Sequence, residues 1–203
     1  MAPTDESTVR NKRLPRPLQL LVELSDRIVR IERPIMGAFI TGVFAVILLN
    51  LVCRSLGWAL YWADELAVYL MIWAAFIGAS ISVKLRTAVA VQLLNEVLPD
   101  GALRFSKNLV DVLVLISALG LLVCSWLWYD PVVLVSKGFD VSAFKSATFN
   151  FIYLEPTLTL QIQKFWLWLI MPVVAVTMSL HSASNVIQSF AQQPLRTAKK
   201  RRL

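Results

Sequence analysis

The sequence predicts an all-α integral membrane protein with four transmembrane helices, extra amphipathic interfacial helices, and both termini in the cytoplasm. Three observations predict it. The 203 residues are 57% hydrophobic and only 16% charged, with mean hydropathy +0.64, whereas soluble domains carry about a quarter charged residues. Four stretches lack formal charge: Pro34 to Cys53, Leu66 to Val83, Val112 to Tyr129, and Phe165 to at least Leu180. At 1.5 Å per residue, 18 to 20 helical residues cover roughly 27 to 30 Å, the thickness of a bilayer's hydrocarbon core. Lipid offers no partner to open backbone groups, so these spans must be helical.

The third observation is the placement of cations. Residues 1–33, 84–108 and the tail beyond the last span hold sixteen of the twenty Lys and Arg; Arg54, Lys137, Lys145 and Lys164 are the other four. Positive charge collects on the cytoplasmic side. An even number of spans puts the three basic regions together there. The expected organisation is a basic cytoplasmic segment 1–33, a membrane domain 34–185 and a basic tail 186–203. Spans fall at about 34–54, 63–84, 110–130 and 164–184, with a cytoplasmic elbow 85–108 and an outer loop 131–163.

Each element has its own signal. Between Pro17 and Arg33, Leu18, Leu21, Val22, Leu24, Ile28, Val29 and Ile31 alternate with Glu23, Asp26, Arg27, Arg30 and Glu32 near helical spacing. Such a helix is too charged to span and belongs at the head groups. The first 33 residues hold five acids and seven bases without an apolar core, unlike a secretory leader. The first span is expected to be its own targeting signal, with Pro34 in its first turn, where the missing N–H costs nothing. After span two, Ala90, Leu93, Leu94, Val97 and Leu98 form a second amphipathic piece, stopped by Pro99-Asp100-Gly101. Arg30, Arg33, Lys84, Arg86, Arg104 and Lys107 are candidate contacts for anionic lipids. The outer loop holds Phe139, Phe144, Phe149, Phe151 and Tyr153, which suggests contact with the membrane interface or another protein.

The residue inventory also excludes chemistry. The basic residues flank apolar runs instead of interleaving with aromatics on a polar face, so nucleic acid is not a partner. Cys53 and Cys124 lie in apolar runs without a Cys-x-x-Cys pattern, and read as small buried hydrophobes. His181 is the one histidine; it cannot supply paired haem ligands and reads as an interfacial residue. The span interiors carry no carboxylate, which a charge-carrying pump or exporter would place there. Neither catalytic, cofactor-binding nor metal-binding residues are expected. Asn50, Thr41, Ser80, Ser82, Ser117 and Ser125 are the main polar groups at depth, able to bond within or between helices. Asp64 and Glu65 open span two, either as caps on free amides or as partner contacts.

The run from Trp62 to Ala79, Trp-Ala-Asp-Glu-Leu-Ala-Val-Tyr-Leu-Met-Ile-Trp-Ala-Ala-Phe-Ile-Gly-Ala, resembles the signature of small membrane subunits of tripartite ATP-independent periplasmic (TRAP) transporters. The matching positions are Trp62, Asp64, Glu65, Tyr69, Leu70, Trp73, Phe76, Gly78 and Ala79, and Ile170-Met171-Pro172 is similar to a proline-bearing stretch of the family's last helix. The resemblance covers most of residues 35 to 185. It departs at Ala88 and Gln92, where the family commonly has His and Asp, so no contact is carried over there. It implies a small, non-catalytic scaffold subunit in the bacterial inner membrane. The partners implied are a large multi-span subunit that carries an organic acid with sodium, and a periplasmic substrate-binding protein. Trp62, Asp64, Glu65, Tyr69, Trp73, Phe76 and Gly78 become candidate contacts to the large subunit. The alternative from another class is a free-standing four-helix homo-oligomeric channel or exporter.

Overall fold

A computed structural model of the chain describes residues 15–87 and 100–191. The described residues form helices α1 (Arg16–Ser55), α2 (Tyr61–Leu85), α3 (Asp100–Tyr129), α4 (Pro131–Ser136), α5 (Val141–Thr148), α6 (Lys164–Trp168) and α7 (Ile170–Ala191), with no strand beyond an isolated Pro156–Gln163 bridge. Four segments are long and apolar enough to cross a membrane: Arg16–Ser55, Tyr61–Leu85, Phe105–Ser136 and Lys164–Ala191. The elbow residues Ala88, Ala90, Gln92, Leu93, Leu94, Val97 and Leu98, the side chain of Arg104 and the basic run Lys199 to Arg202 lie outside what is described.

The first helix differs from the expectation. Pro34 does not sit in a first helical turn, because the amphipathic segment and the apolar segment form one 40-residue helix with the proline inside it. Forty residues rise about 60 Å, twice a bilayer core, so only part of α1 needs apolar flanks. A proline there cannot donate to the carbonyl of Arg30, a loss that membrane helices tolerate. The N-terminal stretch buries Val22, Ser25 and Val29, spaced by three and four residues.

The contacts divide the chain into two compact units, one of Met1–Ile31, Ser80–Leu119 and Val176–Leu203, the other of Glu32–Ala79 and Gly120–Ala175. In the first, α1 begins where α2 and α7 end: Asp26 meets Lys84, and Ser25 meets His181. Ser80 pairs with Thr177, Lys84 with Ser184, and Asn185 with the carbonyl of Val83, so α2 and α7 run in the same direction.

In the second unit α1 and α2 are antiparallel. A methyl group on Gly42 would stand 3.3 Å from a Leu70 methyl, and one on Gly78 would stand 3.3 Å from the Met36 sulfur. Phe39 meets Trp73 edge to face at 5.4 Å, and Asn50 donates to Asp64 at 3.0 Å. The partners step in opposite directions, and the two glycines let the backbones approach, as small residues do between membrane helices. The turn between the helices uses Gly57 at φ 84°, a left-handed conformation that costs glycine little.

The segment between α3 and α6 is a folded cap. Asp130 and Asp140 cap α4 and α5 by accepting from the amides of Val133, and of Ser142 and Ala143. Phe144 is fully buried, packed edge to face on Tyr153 at 5.2 Å. Phe139, Phe149 and Phe151 stay exposed. The aromatic richness of this loop thus has two sources, an internal cluster and a set of outward rings.

Candidate functional site

The residues of the Trp62–Ala79 signature are arranged around the first turns of α2. Asn50 fixes the entry: its side-chain amide donates to Asp64 at 3.0 Å while its carbonyl accepts from the Leu60 amide at 3.3 Å. One turn further, Glu65 reaches a tight loop. Its carboxylate accepts from the amides of Leu158 at 2.9 Å, Thr159 at 2.7 Å and Leu160 at 2.9 Å, and from the Thr159 hydroxyl. That loop is closed on itself by Thr157 N–H to the Ile162 carbonyl, and by Ile162 N–H to the Thr157 hydroxyl. Three amides converging on one carboxylate form a backbone nest for an anion. Glu65 is therefore a latch on a segment 93 to 95 residues away, and does not cap its own helix.

Deeper in the same unit, Trp73 donates its indole N–H to the carbonyl of Leu167 at 2.7 Å, and Gly78 faces Met36. Asp64, Glu65, Trp73 and Gly78, assigned from the sequence to a partner surface, are thus engaged inside the chain. A polar group in a membrane protein is retained where a partner satisfies it, and these found theirs within the fold. Trp62 is 38% exposed; Tyr69 and Phe76 are half-buried on α2.

Two tyrosine hydroxyls tie the end of α3 to α6 and to the cap. Tyr129 donates to the Phe165 carbonyl at 2.8 Å, and Tyr153 donates to the Tyr129 carbonyl at 2.7 Å. Burial, and then the charge of Asp130, push the Tyr153 phenol up, which keeps it protonated and donating.

The first unit holds a polar network that the sequence reading did not find. Arg86 uses one nitrogen, Nη2, for Asp111 at 2.8 Å, the Asn185 carbonyl at 2.7 Å and Ser189 at 2.6 Å, and Ser189 donates to Asp111 at 2.6 Å. Lys84, only 8% exposed in its side chain, pairs with Asp26 at 2.7 Å and donates to Ser184 at 3.1 Å. Lys84 was expected at a lipid surface but is nearly buried against Asp26, whereas Arg86 keeps 30% of its side chain exposed while pairing with Asp111. Arg30, which donates to the Asp26 carbonyl, and Arg33 remain exposed. His181 is fully buried inside the protein and shares a 2.7 Å hydrogen bond with Ser25. The available signal was Ser182, Asn185 and Ser189, three and four residues apart on one face of α7, polar groups that need partners when buried.

Four long apolar helices, a carboxylate spent on a backbone nest and interhelical ion pairs define a multi-pass helical membrane protein. The chain belongs to the family described as tripartite ATP-independent periplasmic transporters, DctQ component, which residues 43–192 match, and it is thus a TRAP transporter component. The chain is also similar to a Haemophilus influenzae (strain 86-028NP) protein named "Sialic acid TRAP transporter permease protein SiaT", at 23% identity over 150 residues. That stretch is 73% of this chain and 21% of the relative, so the chain spans about a fifth of the length of the curated relative it matches. No solved structure matches the chain at a significant level.

Proposed function

We propose that the chain is the small, non-catalytic scaffold subunit of a sodium-coupled TRAP transporter that imports an organic acid. In this reading it sits in the bacterial inner membrane with both termini cytoplasmic, beside a large multi-span subunit and a periplasmic substrate-binding protein. The family match over residues 43–192 carries the reading. It is supported by the use of polar groups: Asp64, Glu65, Trp73, Arg86 and Asp111 each bind another part of the same chain, which suits a fixed frame. A transport path keeps ionisable groups for its cargo. In the Haemophilus influenzae relative the matched region is one part of a much longer permease, which fits a permanent association with a larger membrane body.

Purification of the tagged chain in mild detergent from its native host tests this. A many-span protein several times its size is expected to co-purify in fixed ratio. Recovery of a stable homo-oligomer that passes solute in liposomes on its own would overturn the reading.

A further inference from the structure

Between α2, α3 and α7 in the first unit lies a cavity of about 110 Å³, walled by Val83, Val110 and Val114 and edged by Arg86, Lys107 and Asn185. Its walls are apolar and its edge is cationic, a combination that suits the head-group end of an amphiphile better than a soluble metabolite. Its electrostatics are unbalanced. Asp111 offsets Arg86, but among the described residues Lys107 has no hydrogen bond or ion pair. All three Arg86 contacts run through Nη2, which leaves Nε and Nη1 as donors among the described residues. The cavity therefore offers a net positive edge above an apolar slot, between helices that cross a membrane. Basic pockets of this kind between transmembrane helices hold phospholipid head groups, and a lysine stem reaches from the apolar zone to that level.

We propose that this cavity is a specific site for one acidic phospholipid. Its phosphodiester is held by Lys107 and the free edge of the Arg86 guanidinium, and the start of one acyl chain lies along Val83, Val110 and Val114. A free phosphate would use the cations and ignore the valines. The site is independent of which larger subunit the chain joins.

The test is native mass spectrometry of the delipidated full chain, titrated with phosphatidylglycerol, phosphatidylethanolamine or inorganic phosphate. Phosphatidylglycerol is expected to bind about tenfold more tightly than phosphatidylethanolamine, given the surplus cation. Lys107→Gln should erase that preference and Lys107→Arg should keep it. Val110→Trp, which fills the slot with Lys107 intact, should cut phosphatidylglycerol binding to the same degree, with thermal midpoints checking that each variant is folded. Equal binding of the two lipids, a preference that survives Lys107→Gln, or displacement of the lipid by equimolar inorganic phosphate would overturn the proposal.

Discussion

At Glu65 one carboxylate serves as the acceptor for three amides and a hydroxyl, and nothing else nearby replaces it. Glu65→Ala leaves those donors to water, at a cost of about 1–3 kcal/mol. The variant should still insert, but its 157–162 loop should be cut faster by protease added to spheroplasts. An unchanged cleavage rate would show that the loop holds itself. The Arg86–Asp111 pair behaves differently, because Asp111 keeps 9% of its side-chain exposure and Arg86 keeps 30%. Arg86→Leu alone strands a buried carboxylate and should cost about 3 kcal/mol, whereas Arg86→Leu with Asp111→Leu should recover most of that loss. Thermal midpoints of the three variants in one detergent complete the cycle, and additive losses would mean the pair is not coupled.

The antiparallel contact of α1 and α2 depends on two positions without side chains. Gly78→Ala asks the flexible end of Met36 to give by a few tenths of an ångström, and should cost under about 1 kcal/mol; Gly78→Leu cannot fit and should cost about 1–3 kcal/mol or separate the helices. Disulfide trapping between cysteines at Asn50 and Asp64 reads this out: efficient in the Gly78→Ala background, poor with Gly78→Leu. The helices themselves were legible in the sequence, because a run of uncharged residues long enough to span leaves the backbone no alternative. Their joints were not. Pro34 marked a helix start by local rules, yet α1 continues through it, since membrane helices tolerate an interior proline. Glu65 and Lys84 stood out as charges at span ends, but their partners lie as far off as Leu160 and Asp26, and local spacing says nothing of such pairings. The Trp62–Ala79 run announced the family through residues that hold the chain to itself; a signature records what the fold needs as readily as what a partner touches.

Across the whole molecule, orientation rests on two independent arguments. The start of α1 and the ends of α2 and α7 share one unit, through Asp26–Lys84 and Ser25–His181, which requires an even number of crossings. Sixteen of the twenty cations fall in the sequence segments 1–33, 84–108 and 186–203, and Lys and Arg resist translocation. A cytoplasmic start of α1 and an outward α4–α5 cap are the arrangement the proposed function expects. The measurement uses a chain in which Cys53 and Cys124 are replaced by Ser, with one cysteine returned at an exposed site. Ser146→Cys, on α5, should react with a membrane-impermeant maleimide on intact spheroplasts. Leu20→Cys, on a residue 65% exposed, should react only after permeabilisation. A reversed pattern would invert the orientation, and labelling of both from outside would break the even count on which the shared side of α1 and α7 depends.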